Sequence, residues 1–330
     1  MCIVERALQK AQAKGRQESA VTPVAGASDV GEKVEVVPPS GSFISDVANP
    51  SGASLSSFGV PETASATSMD AKAIVHLDFA RLRDEGRVPS SEMTRQVEEE
   101  MRRVKWPVLN AIEGRGGEKA ARHNVVLVTS AVPGEGKTFT SLNLALSIVR
   151  DRESRVVLVD GDVARPGLTP TLGLEGRPGL NEVLEDTAMD VEAVIYRTDI
   201  DGLFFVPAGR WHDHSPEFFA GSRMPQVIEE LSRRVGNGVI IFDSPPLLST
   251  NDAQALTRYA GQVLLVVRSD DTEQQAVLDA LALVYRTAVV SAVLNRVSPS
   301  IVSRYYGQYY YGYNYGQGRS SEDEPGKGSA

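Results

Sequence analysis

Cysteine is almost absent: Cys2 is the only one among 330 residues. That excludes a disulfide framework and a cysteine-built zinc finger, and it fits a reducing compartment. Long apolar runs are missing too. No stretch approaches the ~18–20 residues that cross a bilayer, and the opening MCIVERALQKAQAKGR places charges where a secretory signal has its apolar centre. A soluble, cytoplasmic chain is expected. Basic excess is also lacking, since 34 Lys+Arg face 43 Asp+Glu for a formal net charge of −9. Nucleic acid is therefore not an expected partner, because neutralising phosphates needs a basic face. A hydrophobic share of 42% is ample for a core, and the length suits about two average domains or one large α/β domain with tails.

Composition divides the chain into four parts. In residues 1–71, Ile3, Val4, Ala7, Leu8 and Ala11 recur at helical spacing and predict a short amphipathic helix able to dock on a partner. Behind it, from about residue 17 to 70, Ser, Gly, Pro, Ala and Val dominate, and disorder is expected. Residues 72–120 read as a helical extension. Met93, Val97, Met101 and Val104 form a stripe there, with Ser90 or Ser91 as its cap after Pro89. Residues 121–297 alternate apolar runs with amphipathic ones. Strands are predicted at Val125–Thr129, Val156–Asp160, Leu203–Pro207, Val239–Asp243, Val263–Val267 and Val289–Leu294; helices at Phe139–Arg150, Gln226–Val235 and Glu273–Tyr285. Strands apolar throughout imply a mostly parallel sheet with helices on both faces. Residues 298–330 have no core periodicity and read as a flexible tail.

The sharpest motif is VVLVTSAVPGEGKT, Val125–Thr138. It is a P-loop in its required strand–loop–helix setting. Across Pro133, Gly134, Glu135, Gly136, Lys137, Thr138 and Phe139, backbone N–H groups and the next helix N-terminus suit ATP phosphates. Lys137 supplies a cation, and the Thr138 hydroxyl is a hard ligand for Mg²⁺. Two strands then end in acids, VVLVDGD with Asp160 and Asp162, and GVIIFD with Asp243. Ligands of open α/β sheets sit beyond such carboxyl ends. A guanine-reading Asn-Lys-x-Asp is absent, which disfavours GTP, and Asn295 stands where it can meet an adenine edge.

The tail adds a second signature. Of ten tyrosines, seven (Tyr305, Tyr306, Tyr309, Tyr310, Tyr311, Tyr313 and Tyr315) fall within eleven residues. With the P-loop and the acidic strand ends, this chain resembles the bacterial tyrosine kinases of exopolysaccharide synthesis, over about residues 121–297. DVARP, LFFVPAG, DSPPLLSTNDA, ERALQKA and IVHLDFARLR are similar to the subgroup of autokinases linked to exosortase loci. The resemblance implies an ATP- and Mg²⁺-dependent autokinase, with metal on Thr138, Asp162 and Asp243 and Asp160 as base for the incoming phenol. It implies the seven tail tyrosines as acceptors, and Glu99, Arg102 and Lys105 as an oligomerising helix face, with Lys where the family has a second Arg. The implied partners are further copies of the chain in a ring or other oligomer, a separate membrane chain-length regulator as activator, and a tyrosine phosphatase. Peripheral association with the inner membrane would come through the regulator.

Two other readings compete. A partitioning or positioning ATPase of the deviant P-loop type shares the fold, yet usually carries an early Lys where this chain has Val132. An ATP-bound assembly scaffold without phosphotransfer would use the same binding residues.

Overall fold

The computed structural model describes residues 74–114, 122–151, 154–212, 215–286 and 288–297. The amphipathic segment at Ile3–Ala11, the linker over 17–70 and the tail tyrosines lie outside them.

The strands that carry the phosphate loop and the acids are buried along their length. β1 (Val125–Ser130), β2 (Val156–Asp160) and β5 (Val239–Asp243) present no exposed residue. Such strands need cover on both faces. With β3 (Tyr196–Arg197), β4 (Leu203–Val206), β6 (Gln262–Arg268) and β7 (Val289–Asn295) they form one sheet in the order β3-β4-β2-β5-β1-β6-β7. All pairs are parallel except β3–β4. The six predicted strands form, with ends within a residue of expectation. β3 was not foreseen, because two residues carry no readable period.

One face of the sheet is covered by α1 (Phe79–Asp84), α2 (Thr94–Ile112), α3 (Lys137–Val149) and α4 (Leu168–Thr171). The other carries α5 (Leu180–Glu185), α6 (Ser215–Ala220), α7 (Arg223–Val235), α8 (Asn251–Thr257) and α9 (Gln274–Ala282). A 3₁₀ turn at Val191–Val194 leads into β3. Among the described residues no helix is long and apolar enough to cross a membrane.

The extension shares the core of the sheet. Val75, Leu77, Leu82, Val88 and Val108 pack in one apolar cluster with Val126, Leu142, Ile148 and Val266. Val75 also covers the β3 edge: its N–H reaches the Arg197 carbonyl at 2.8 Å, and its carbonyl accepts from Asp199 N–H at 3.0 Å. An unpaired sheet edge is thereby occupied. On α2 the predicted stripe residues Val97 and Met101 are buried, and Val104 packs against the cluster that holds Val108, a buried position the stripe did not include. Met93 departs from it. It precedes the first helical turn as N-cap and is 52% exposed. Nor does a serine side chain cap the helix; Ser90 instead offers its carbonyl to the Thr94 hydroxyl at 2.9 Å.

Gln262 fastens α2 to the sheet. Its buried amide nitrogen donates to the Val108 carbonyl at 3.1 Å and to the His123 carbonyl at 2.7 Å. Gln262→Leu keeps the bulk and leaves both acceptors without that donor. The expected cost is about 1–3 kcal/mol of unfolding free energy, read from urea melts. An unchanged midpoint would contradict this role.

Candidate active site

The loop between β1 and α3 takes its shape from two glycines in the left-handed region, Gly134 at φ +82° and Gly136 at φ +98°. Gly136 is the N-cap of α3, so Lys137 opens the helix and the N–H groups of its first turn face the loop. Pro133 and Gly134 are exposed, whereas Glu135 is buried beneath them. Phe139, half-buried in that first turn, accepts from the Asn143 amide at 2.7 Å.

Sheet register sets the carboxylates. β2 and β5 are parallel neighbours with Asp160 opposite Asp243 at their carboxyl ends. Both are fully buried, and both pKa values rise. Burial pushes Asp160 up to about 6. Burial and then the charge of Asp160 push Asp243 to about 7. Asp243 is held by hydroxyls: Ser141 donates to its Oδ1 at 3.1 Å, and Thr138 also bonds it. Its own carbonyl takes the Gly161 N–H at 2.7 Å. Lys137 lies among the acids. Burial lowers its pKa, while Asp243, Asp162 and Glu135 hold it up.

Asp160 is fixed on one side only. Its Oδ2 accepts from Leu168 N–H at 3.0 Å, Thr169 N–H at 2.7 Å and the Thr169 hydroxyl at 2.8 Å. The Thr169 oxygen in turn accepts from Ala208 N–H at 2.9 Å. A backbone amide can only donate, so the hydroxyl proton points at Asp160. The other oxygen, Oδ1, is buried with no hydrogen-bond partner. Asp162 is half-buried, and burial raises its pKa; its Oδ1 accepts from Arg165 N–H at 3.1 Å. Gly167 closes against Thr138, where a Cβ would stand 2.8 Å from the Thr138 Oγ1.

The residues present fit a magnesium–nucleotide. Thr138, Asp162 and Asp243 are hard oxygen donors. The orphaned Oδ1 of Asp160 marks a buried polar position open to a further group. Sequence reasoning missed Ser141, Thr169 and the neighbouring Asp252, whose charge is felt at Asp162. These residues act through packed geometry and have no motif of their own.

No family model matches the chain. Tyrosine-protein kinase YwqD of Bacillus subtilis strain 168 is 30% identical over 187 residues, which span 55% of this chain and 77% of YwqD. The chain belongs to the bacterial tyrosine-protein kinases. The putative tyrosine-protein kinase EpsB of Ralstonia solanacearum is 29% identical over 208 residues, 62% of this chain and 27% of EpsB. This family member thus spans about a quarter of that longer relative. Among solved structures, the BceF tyrosine kinase domain is 28% identical, with a TM-score of 0.52 over 66% of this chain and 86% of that one. The fold is that of these P-loop kinases.

Of the residues that the family resemblance places on the helix of the extension, Arg102 is exposed, and Glu99 is half-buried with Arg95 Nε 3.8 Å away. Lys105 is committed within the chain. Its Nζ reaches the Ser147 carbonyl at 3.1 Å, in the last turn of α3, and Asp151 Oδ2 at 2.9 Å, just beyond the helix end. A cation there also meets the negative end of the helix dipole.

The paired acids make a prediction for this kinase-family fold. A folded-state pKa of about 7 for Asp243, against 3.8 ordinarily, means that the folded protein holds a proton the unfolded chain has already lost. Stability from this site is present at low pH and is lost as pH rises through about 7. Asn cannot ionise and keeps the Ser141 contact. In EDTA and without nucleotide, Asp243→Asn should be more stable than the parent at pH 8 by about 1–3 kcal/mol. The gain should shrink towards pH 5. A pH-independent difference in urea melts would contradict the buried like-charge pair.

Proposed function

We propose that the chain is an ATP-dependent protein-tyrosine autokinase that phosphorylates its own tail cluster, Tyr305–Tyr315, in trans. The observation that carries this reading is a carboxylate with one unpartnered oxygen, Asp160, beside the P-loop pair Lys137 and Thr138. It stands in a chain that bears a tyrosine cluster of its own and is 30% identical over 187 residues to a tyrosine-protein kinase.

In this reading Lys137 and the loop amides hold the β/γ phosphates, and Thr138, Asp162 and Asp243 hold Mg²⁺. When bound, Mg²⁺ would offset negative charge on the phosphates. Asp160 takes the phenol proton on Oδ1 while Thr169 fixes Oδ2. The phenol oxygen bonds to the γ-phosphorus as the bond to the β-phosphate oxygen breaks, and ADP leaves with that electron pair. A phenol has a pKa of about 10, so a positioned base with a pKa nearer neutrality assists its attack.

Tether length permits reaction between copies; the chain's own site is also within reach, and a short tether that need not turn back favours the neighbour's. Tyr305 lies eleven positions beyond Leu294, and extended chain covers at most about 3.5 Å per residue. A reach of roughly 35–40 Å suffices for a neighbour's site. Glu99 and Arg102 on α2 are the contacts assigned to the oligomer, while Lys105 contributes through α3. A separate membrane regulator as activator, a tyrosine phosphatase, peripheral inner-membrane association and a role in exopolysaccharide polymerisation or export complete the proposal. It rests for these on the resemblance of DVARP, LFFVPAG and DSPPLLSTNDA to the exosortase-linked autokinases.

Lys137→Met should bring autophosphorylation down by about 10²-fold or more with an unchanged circular dichroism spectrum. Mixed with an active chain truncated after Ser298, the Lys137→Met protein should gain tail phosphotyrosine by mass spectrometry. Absence of label on the inactive chain would remove the trans step. Parental labelling by Lys137→Met alone would remove the assigned role of Lys137.

A further inference from the structure

The motif reading places Asn295 at the adenine base. The side chain is engaged elsewhere. Its Nδ2 donates to the Glu135 backbone carbonyl in the middle of the phosphate loop at 2.9 Å. Its Oδ1 accepts from Arg296 N–H at 2.9 Å, and its carbonyl accepts from Ser269 N–H at 2.8 Å. The amide lies so close over Gly136 that a Cβ at that glycine would collide with Nδ2.

Glu135 is gripped from a second direction. It is 1% exposed. Its Oε2 accepts from Val132 N–H at 2.8 Å, which closes the loop on itself. Its Oε1 accepts from Arg268 N–H at 3.2 Å and from the Thr272 hydroxyl. Arg268 ends β6, and Thr272 lies on the turn before α9. Two strand ends thus hold one loop residue, β7 through its backbone and β6 through its carboxylate.

A phosphate loop works when its N–H groups already converge before the anion arrives. Its glycines make that shape accessible but do not enforce it, because glycine has the most conformational freedom to lose. From this geometry we infer that Asn295, Glu135 and Thr272 form a clamp that holds the phosphate loop ready for any triphosphate, and that Asn295 is a positioning residue rather than a reader of the base. Glu135, an arbitrary-looking letter between two motif glycines, is the hub. The inference rests on the P-loop as a nucleotide site, not on tyrosine as the acceptor.

Calorimetric titration of the full chain with Mg-ATP and, separately, with magnesium tripolyphosphate, which has no base, decides the matter. Asn295→Ala should weaken both probes by a similar factor of about five to ten, the range expected for one lost buried hydrogen bond. Asn295→Asp, which sets an acceptor against the Glu135 carbonyl, should weaken both at least as much. Thr272→Val should reduce both affinities, whereas Thr272→Ser, which keeps the hydroxyl, should restore them. A loss confined to ATP would make Asn295 an adenine contact and overturn the inference. So would parental affinity for both probes in Asn295→Ala. If the Asn295 variants do not fold, the Thr272 pair carries the test: equal affinities in Val and Ser would overturn the clamp. Failure of the parent to form phosphotyrosine would leave this result standing and would count against the kinase reading alone.

Discussion

Two carboxylates that repel each other organise this molecule. Parallel pairing of β2 and β5 sets Asp160 opposite Asp243 at the carboxyl end of the sheet, buried from water. Like charges so placed are unfavourable without compensation. The surroundings supply it in pieces: hydroxyls of Thr138, Ser141 and Thr169, backbone amides of Leu168 and Thr169, and the Lys137 cation. What remains unmet is one oxygen of Asp160. A site that keeps a buried carboxylate partly unsatisfied gives up stability for readiness to take a proton or cation, which is where perturbed acids tend to be used.

The same end of the sheet must also keep a glycine-rich loop in shape. Core packing does part of this, since α3 starts directly at Gly136 and is buried on several sides. The grip of β6 and β7 on Glu135 does the rest. The N-terminal extension braces α3 from behind, through Lys105 at its last turn and through Arg150, whose Nη2 meets Glu98 Oε1 at 2.7 Å. One continuous apolar cluster joins extension and sheet. Extension and phosphate-loop helix thus share one packed core.

Strands were legible because burial on both faces leaves an unbroken apolar run, as in VVLVD and VIIFD. The site was legible where chemistry demands particular residues at fixed spacing: Gly134, Gly136, Lys137, Thr138 and the strand-end acids. Contacts that depend on three-dimensional closure were not. Thr169 meets Asp160 from the short helix α4, and Thr272 meets Glu135 across 137 positions. Neither pair has a local period. Lys105 matches a family position by spacing, yet the fold turns it inward to Asp151. Met93 fits the stripe by count but precedes the helix that would bury it.

The account turns on a division of labour, with Lys137 and the loop binding nucleotide and Asp160 acting on the phenol. Asp160→Asn keeps the size and can still accept from Thr169, but it removes the base. Its affinity for Mg-ATP and its rate of tail phosphotyrosine formation should be measured on one preparation. The account predicts affinity close to the parent and a rate reduced by about 10²-fold or more. Equal losses in affinity and rate would make Asp160 a metal ligand and contradict that division.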